Sequence, residues 1–272
     1  MTIDVLKCFA VLFGIVIAIV LGLYVYKQHK RRQREQVYKQ YMATQPRVPA
    51  IIHQTWKTSQ LPDNFAAWSH TWMDHNPDFK YMFWSDDDLR RFVKTEYPQY
   101  LDLYDGFDKH IKRVDMVRYL ILHHYGGVYA DMDFECVRPI RDAVIDHNNK
   151  PIVLGRMGDD ETFEHSLPNA LMASAPGHPF WLDVVDMIHA RRNDTRSRVE
   201  YVTGPVLLKD AYDRSPYRND ICVRPSIYFY ANNWANKVNW DEMEALWKSD
   251  PNRFRRAYPK CFALTYWTHT WE

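Results

Sequence analysis

The chain opens with one long apolar run that is followed by a polar, basic segment. The run from Cys8 to Tyr26 contains no charged residue. As a helix rising 1.5 Å per residue it would span roughly 28 Å, close to the hydrocarbon thickness of a bilayer. It is long for a signal peptide, and no small-residue cleavage site follows it before Lys27. The pattern therefore predicts a membrane anchor at residues 8–26, after a short tail at residues 1–7.

Residues 27–47 form a polar stem, and its charges predict a membrane orientation. Only Lys7 precedes the apolar run, whereas five basic residues follow it closely: Lys27, Lys30, Arg31, Arg32 and Arg34. The positive-inside rule would place the body in the cytosol. One N-glycosylation triplet, Asn193-Asp194-Thr195, would instead fit a luminal body. The two signals point in opposite directions.

From residue 48 onward, short apolar runs alternate with segments of helical spacing. This alternation predicts a single α/β domain over residues 48–272, with a mostly parallel sheet. The Trp-rich and Tyr-rich segments after about Asn232 predict irregular structure. The predicted strands are "PAIIHQTW", "KYMFW", "VYADMDF", "PIVLGRM" and "NALMASA". The predicted helices are "NFAAWSHTWMDH", "DDLRRFVKTEY", "DKHIKRVDMVRYLILHHY" and "PFWLDVVDMIHARR".

Two helix boundaries carry explicit signals. Ser85 and Asp88 have the spacing of a capping box, which starts the helix of "DDLRRFVKTEY". The helix of "DKHIKRVDMVRYLILHHY" is closed by Gly126 and Gly127. The three aspartates from Asp86 onward are then interpreted as a helix N-terminus favoured by the helix dipole.

The aspartates Asp131 and Asp133 lie where the predicted strand "VYADMDF" ends. Residues i and i+2 of a strand point the same way, so both carboxylates should converge on one side. Two adjacent carboxylates repel unless a cation lies between them. Hard oxygen ligands suit Mg²⁺ or Mn²⁺, and such an ion would hold the phosphates of a nucleotide. Ligands also collect at the carboxyl ends of strands in sheets of this type.

Asp115 and Arg118 are three residues apart in a predicted helix and therefore share a face. They form either a surface ion pair or a pair aimed at a pocket. In the second case the carboxylate would accept from a sugar hydroxyl and the guanidinium would donate to a hydroxyl or phosphate. Spacing alone leaves both interpretations open.

Composition adds two constraints. The chain has 10 Trp and 18 Tyr, which suit flat ligands such as sugars or bases. The net charge is +1, and residues 1–47 contribute eight basic against two acidic side chains, which leaves −5 for the body. A mildly acidic body gives no electrostatic reason to expect nucleic acid as a partner. The cysteines lack metal-type spacing, and a Cys222–Cys261 disulfide stays an open alternative.

Six motifs, in order from about Val48 to the C-terminus, resemble family 32 glycosyltransferases. This group includes ceramide mannosyltransferases and the initiating α-1,6-mannosyltransferase. The motifs are "VPAIIHQTWKT", "LPDNFAAWSHTWMDHNPDFKYMFWSDDD", "IKRVDMVRYLILHHYGGVYADMDFECVRP", "LPNALMASAPGHPFW", "YVTGPVLL" and "YWTHTW".

The resemblance implies a GT-A fold, a nucleotide-sugar donor, and sugar transfer with retention of anomeric configuration. By motif, Trp56 would stack on the donor base. Asn169 would face the donor sugar, and Trp271 would close over the diphosphate. The resemblance further assigns donor binding and catalysis to Asp115 and Arg118 of the predicted helix. It assigns them also to Asp131 and Asp133, the two aspartates of an Asp-X-Asp (DXD) motif.

The same resemblance implies a metal site. Asp133 would bind Mn²⁺ or Mg²⁺ directly, and Asp131, which also touches ribose and sugar, is its partner in the motif. Many relatives have a histidine where Thr265 stands, so His269 is the nearest third metal ligand, with a surface histidine as the alternative. His53 is interpreted as structural.

The acceptor and the location are less constrained. The closest motif similarity implies mannose from GDP-mannose and a membrane-linked acceptor such as inositol phosphorylceramide, with a regulatory subunit as a further partner. A UDP-sugar transferase acting on glycans is the alternative. The acidic run at residues 159–164 would either position the acceptor or assist its deprotonation, or it would be a solvated loop. The family context implies a Golgi-luminal body despite the basic stem.

Two other classes are weighed against transfer. "DMDFE" also resembles the nucleophile motif of haloacid-dehalogenase-type phosphatases, in which Asp131 would be phosphorylated. Phe134 is unusual for that motif, which opens its domain instead of following some eighty residues. A non-catalytic binding module is the other alternative, and the presence of both DXD aspartates disfavours it.

Overall fold

The computed structural model describes residues 3–44, 47–144, 150–194, 198–231 and 237–268. The chain divides into an N-terminal unit, residues 1–45, and a body, residues 46–272. In the first unit, helix α1 runs from Ile3 to Met42. It is long and apolar enough to cross a membrane. The uncharged run at residues 8–26 therefore lies within a helix that continues through most of the basic stem.

The body alternates strands and helices, as predicted. Its strands are β1 (Ile51–Thr55), β2 (Lys80–Trp84), β3 (Gly127–Ala130), β4 (Phe134–Cys136), β5 (Ile152–Gly155), β6 (Leu171–Ser174), β7 (Ile221–Arg224) and β8 (Ala263–Thr265). Its α-helices are α2 (Asp63–His75), α3 (Asp86–Glu96), α4 (Leu101–Asp105), α5 (His110–His124), α6 (Arg141–Val144), α7 (Pro179–Arg191), α8 (Val199–Val202), α9 (Pro205–Arg214), α10 (Lys237–Ser249) and α11 (Pro251–Ala257). Short 3₁₀ turns cover Pro98–Tyr100, Arg218–Asp220 and Ser226–Tyr228.

The described strands form a six-stranded sheet of order β2-β1-β3-β6-β5-β7 and a separate β4-β8 pair. Strand β6 is antiparallel to both of its neighbours, and the other five strands run in one direction. The predicted mostly parallel sheet is confirmed. Helices cover it on both faces, and the buried apolar side chains fall into separate clusters on the two sides.

The predicted boundaries of two helices are confirmed. Ser85 caps α3 in a complete capping box with Asp88. Helix α5 ends before Gly126 and Gly127, which have φ of 64° and 88°. These left-handed values are accessible to glycine because it has no Cβ. Helix α5 is buried over most of its length and packs against α7, so its polar residues Lys112, Asp115 and Arg118 are buried.

Two predictions about secondary structure were wrong. "VYADMDF" is not one strand: β3 ends at Ala130, residues 131–133 form a turn, and β4 starts a second sheet. The backbone leaves the main sheet there because Phe134 pairs with Thr265 of β8, a partner remote in sequence. A strand therefore does not align the Asp131 and Asp133 carboxylates, contrary to the prediction.

Most of the described segment from Lys237 to Thr265 is regular, contrary to prediction. It contains α10, α11 and β8. Asp250 caps α11 by accepting from the Arg253 backbone N–H at 2.9 Å, with Pro251 at the first helical position. Met243, Trp247 and Phe254 form a small core of their own, and a strand as short as β8 exists only through its pairing with β4.

Two side-chain predictions are resolved by contacts. His53 is fully buried, accepts from Trp84 Nε1 at 3.2 Å and lies 3.0 Å from the Gly126 carbonyl, which agrees with the structural role. Burial lowers the pKa of His53 to about 4, so it is neutral and donates through Nε2. No disulfide joins Cys222 and Cys261, and the Cys261 thiol contacts the Ala263 carbonyl instead.

Gly127→Ala should destabilise the body more than Gly158→Ala does. Both glycines have positive φ, 88° and 74°. A Cβ on Gly127 would lie 2.6 Å from the Ile51 carbonyl oxygen in the adjacent strand, whereas one on Gly158 meets no described atom within 4 Å. Strain alone costs about 1–2 kcal/mol, and the clash adds about 1–3 kcal/mol.

The measurement is denaturant unfolding of the detergent-solubilised chain, followed by Trp fluorescence. Gly158→Ala is the matched control for the conformational strain. Equal losses in the two variants would show that the contact between Gly127 and Ile51 is not tight.

Candidate active site

A cleft of about 500 Å³ opens at the carboxyl ends of β1 and β3. This is the edge at which the sequence predicts ligand binding. The cleft is bounded by the segment after β1, the start of α3, one face of α5, the turn after β3, the loop before β6, the α8–α9 junction and the segment after β8. Its polar or aromatic lining residues include Thr55, Trp56, Lys57, Phe65, Asp86, His110, Asp115, Arg118, Asp131, Asp133, His165, Asn169, Glu200, Trp267 and Thr268.

One face of α5 runs along the cleft. His110, Ile111, Val114, Asp115 and Arg118 all line it. These positions recur at intervals of three and four, as expected for one face of an α-helix. At 1.5 Å per residue, the two ends of the row lie about 12 Å apart along the helix axis. The cleft therefore has a His110 end and an Arg118 end.

The Arg118 guanidinium is buried between two carboxylates. Its NH2 lies 3.2 Å from Asp115 Oδ1, and its NH1 lies 3.2 Å from Asp131 Oδ1. NH1 also donates to the Asn169 carbonyl at 2.9 Å, and the guanidinium lies over the Tyr129 ring. The side chain of Arg118 is only 3% exposed. The pair Asp115–Arg118 is thus a buried pair that lines the cleft, and the alternative of a surface ion pair is wrong.

Asp115 connects three segments. Its Oδ1 accepts from Asn169 Nδ2 at 2.9 Å, and its Oδ2 accepts from Thr203 Oγ1 at 2.8 Å. Both oxygens are therefore engaged by the protein itself. Asp115 holds the loop before β6 and the α8–α9 junction against α5, and this fixes Asn169 at the wall of the cleft.

Asp131 lies in the turn after β3 and is positioned by hydrogen bonds from residues of β3 and β1. Its Oδ1 accepts from Tyr129 OH at 2.9 Å, and its backbone carbonyl accepts from Gln54 Nε2 at 3.2 Å. Burial raises the pKa of Asp131 to about 6, with Arg118 opposing the shift and Asp133 adding to it. Burial also raises the pKa of Asp115, again opposed by Arg118. Burial would lower the pKa of Arg118, but Asp131 and its other neighbours raise it overall.

Asp133 faces the cleft and is tied to the C-terminal segment. Its Oδ2 accepts from the Thr268 backbone N–H at 3.0 Å and from Thr268 Oγ1 at 3.3 Å. The backbone carbonyl of Asp133 accepts from Tyr266 N–H at 3.0 Å. The chain after β8 therefore crosses the turn at residues 131–133, which we call the DXD turn.

The residues of this turn have the donor chemistry of a hard-metal site. Asp131 and Asp133 both line the cleft and present carboxylate oxygens, the ligand type that Mg²⁺ and Mn²⁺ prefer. Within the described ranges, no group of three His, Cys, Asp or Glu side chains could hold a metal. The predicted third ligand, His269, and the predicted lid residue, Trp271, lie outside the described residues.

Trp56 provides part of the aromatic wall of the cleft, and the next residue, Lys57, contacts the start of α3 through its carbonyl. Trp56 follows β1, is half-buried and lines the cleft. Its ring packs against Phe65, with centroids 4.4 Å apart at 39°. The backbone N–H of Trp56 donates to the Trp84 carbonyl at 3.0 Å, which fixes the start of the loop. A planar ligand entering the cleft meets a supported aromatic wall here.

The acidic run at residues 159–164 is beside the cleft, and its flanking residues Met157 and His165 line it. Glu164 forms an ion pair with Arg198 at 2.6 Å. The run itself does not contribute to the cleft lining within the described part of the chain. Its predicted role toward the acceptor stays a prediction.

Some residues of the site were not singled out from the sequence. Thr203 holds Asp115, Tyr129 holds Asp131, and Thr268 holds Asp133. Thr203 and Thr268 are within motifs that the sequence analysis noted, but a hydroxyl in a motif gives no sign of its partner. Tyr129 is two residues from Asp131 in the same strand run, and this spacing was the available signal.

Comparison with known proteins places these features in a family. A family model described as "Glycosyltransferase sugar-binding region containing DXD motif" matches residues 62–151. An uncharacterised glycosyltransferase, L373 of Acanthamoeba polyphaga mimivirus, is 30% identical over 198 residues, 71% of this chain and 76% of that protein.

Curated fungal enzymes match as well. Inositol phosphoceramide mannosyltransferase 3 of Schizosaccharomyces pombe is 37% identical over 170 residues, 59% of this chain and 44% of that protein. Mannosyl phosphorylinositol ceramide synthase SUR1 of Saccharomyces cerevisiae is 34% identical over 166 residues, 59% of this chain and 41% of that protein. The matches thus span less than half the length of these two relatives.

Among solved structures, the PaToxG glycosyltransferase has a TM-score of 0.47 at 16% identity, covering 85% of this chain and 94% of that chain. The family match and the mixed α/β sheet support the GT-A fold class predicted by resemblance, and they disfavour the phosphatase alternative. The chain belongs to the family of glycosyltransferases with a DXD-containing sugar-binding region.

Proposed function

We propose that the protein transfers a hexose, mannose from GDP-mannose, to inositol phosphorylceramide or a similar membrane-linked acceptor, with retention of configuration. The observation that carries the proposal is the convergence of Asp131, Asp133, Arg118 and Asn169 on one cleft in a chain of this family. The choice of mannose and of a ceramide acceptor rests on the names of the fungal relatives.

The Arg118 end of the cleft suits the diphosphate and the sugar. Among the described residues, Arg118 Nε is a buried N–H without a hydrogen-bond partner. Leaving a buried N–H group without a hydrogen bond costs about 1–3 kcal/mol or more. An oxygen atom of the nucleotide sugar that accepts this hydrogen bond would therefore be favoured there. The guanidinium also supplies positive charge in a water-poor site, where the charge of a leaving diphosphate is best stabilised.

The DXD turn suits a divalent cation. Asp133 would hold Mn²⁺ or Mg²⁺, with Asp131 and His269 as further ligands. When bound, the ion would act as a Lewis acid on the leaving diphosphate. Thr268 fixes one oxygen of Asp133, and Tyr129 fixes one oxygen of Asp131, so both carboxylates keep their orientation.

The remaining predicted roles divide along the cleft. Trp56 would stack on the base, Asn169 would face the sugar, and Trp271 would close over the diphosphate. Asp115 would keep Arg118 and Asn169 in place, and its contact with the ribose or sugar stays a prediction. A helix of the length of α1 would tether the enzyme to a bilayer, where a lipid head group reaches a high effective concentration.

Full-length protein with Mn²⁺ should turn over GDP-mannose in preference to UDP-galactose, UDP-glucose and UDP-N-acetylglucosamine. Release of nucleoside diphosphate with inositol phosphorylceramide as acceptor is the measurement. Asp133→Asn should reduce turnover by at least about 100-fold, comparable to the loss of one transition-state contact. EDTA should have the same effect.

Asp74→Asn is the matched control, since Asp74 is exposed and does not line the cleft. The melting temperatures of both variants should stay close to that of the wild type. Turnover with a UDP-sugar alone would overturn the donor assignment. Full activity in EDTA, or in Asp133→Asn, would overturn the metal-assisted mechanism.

Trp56→Ala should weaken binding of the donor nucleotide about tenfold or more. Stacking of a base on an aromatic side chain is worth about 1–3 kcal/mol. Isothermal titration with GDP and Mn²⁺ measures the change, and the melting temperature of the variant shows whether the packing against Phe65 is also lost. Unchanged affinity together with earlier melting would make Trp56 a packing residue.

We also propose that the body faces the Golgi lumen, as a type II membrane protein. Asn193 is exposed just after α7, where a glycan could be attached. In sealed microsomes from a eukaryotic host, the body should resist protease, and Asn193→Gln should remove one glycan-sized mobility shift. Digestion of the body without detergent would place it in the cytosol, as the basic stem predicts.

A further inference from the structure

The two ends of the cleft differ in chemistry. The assignment of the two ends rests on the proposed function, because it takes the DXD turn as the end that holds the diphosphate. Arg118 contacts Asp131 directly, whereas His110 lies two helical turns away along the same face of α5. A nucleotide with its diphosphate near Asp131 would therefore extend its base toward His110 and Trp56.

Backbone contacts bring Asp86 to that base end. Strands β1 and β2 are parallel neighbours, so the residues after each strand emerge side by side. The Trp56 N–H donates to the Trp84 carbonyl at 3.0 Å, and the Asp86 N–H reaches the Lys57 carbonyl at 3.4 Å. Asp86 thus follows β2 immediately beside the loop that carries Trp56.

The side chains of His110 and Asp86 are in contact at this end of the cleft. His110 Nε2 lies 2.8 Å from Asp86 Oδ2, and the two side chains are 43% and 34% exposed. Both line the cleft, so a bound ligand can reach them. The base end therefore offers a carboxylate acceptor next to an imidazole nitrogen, beside an aromatic wall.

Guanine is the common base whose edge suits a carboxylate. It presents two adjacent donors, N1–H and the N2 amino group, beside the acceptor O6. Uracil presents a single N3–H flanked by two carbonyl oxygens, which a carboxylate repels. Adenine and cytosine present one amino donor next to an unprotonated ring nitrogen. A carboxylate that faces the wrong base edge would lower the affinity about tenfold or more.

We infer that Asp86 and His110 determine the base of the donor and select guanine. Asp86 would accept from N1–H and the N2 amino group while His110 donates to O6, and the contact between the two side chains would open to do so. The Trp56 ring would hold the plane of the base. The competing explanation is that Asp86 serves only the start of α3, where a carboxylate is favoured by the helix dipole.

The first test uses the wild-type, full-length chain with Mn²⁺ and isothermal titration. GDP should bind at least about tenfold more tightly than inosine diphosphate, which lacks the N2 amino group, and more tightly than UDP. Equal affinities for GDP, inosine diphosphate and UDP would overturn the inference. If transfer continued in that case, the proposed function would stand.

The second test replaces the carboxylate of Asp86, which would accept the hydrogen bonds from the base. Asp86→Asn should lose at least about tenfold in GDP affinity and gain affinity for xanthosine diphosphate, because the amide can donate to the xanthine O2 carbonyl. UDP affinity should change little. His110→Ala should also weaken GDP binding more than UDP binding.

Asp87→Asn is the matched control, since Asp87 is the next residue of α3, is exposed and does not line the cleft. It should leave the affinities for all four nucleotides unchanged. A loss of the same factor for every nucleotide in Asp86→Asn would mean that Asp86 only supports α3. The absence of any nucleotide binding by the wild type would instead remove the proposed function.

Discussion

The site depends on one buried cation, the guanidinium of Arg118. It lies 3.2 Å from a carboxylate oxygen of Asp115 and 3.2 Å from one of Asp131, and it donates to the Asn169 carbonyl at 2.9 Å. A buried charge of this kind is tolerated only where opposite charges and hydrogen bonds surround it. Arg118 therefore requires the turn after β3 and the loop before β6 to meet at α5.

The same constraint holds the walls of the cleft in place. Asp115 accepts a hydrogen bond from Thr203 of the α8–α9 junction, and Gly204 lets that junction pack closely, since a Cβ there would lie 2.9 Å from Glu200 Cα. Tyr119, one turn further along α5, donates to the Thr203 carbonyl at 2.9 Å. The groups that would contact the donor are thus held by contacts within the protein, which reduces the cost of ordering them on binding.

The C-terminal segment completes the site from the opposite side. Strand β8 pairs with β4, and Thr268 then donates to Asp133. Tyr266 stacks on Trp68 of α2, with ring centroids 4.1 Å apart. A short strand and one aromatic contact therefore fix the chain that crosses the DXD turn, and the second carboxylate depends on them for its orientation.

The sequence by itself determined the elements that depend on local signals. The capping box at Ser85, the glycines after α5 and the apolar alternation are read from neighbouring residues, so α3, α5 and the parallel strands were predictable. It also pointed to Asp115, Arg118, Asp131 and Asp133, because their residue types and spacing made them candidates and the resemblance to a known family assigned their roles.

Only the tertiary structure decided how these residues meet. Asp131 and Asp133 converge through a turn and not along a strand, since Phe134 leaves the sheet to pair with Thr265. Thr203, Thr268 and the Asp86–His110 pair act through contacts between segments remote in sequence. Such contacts are set by packing of the whole body, and no local pattern of residues specifies them.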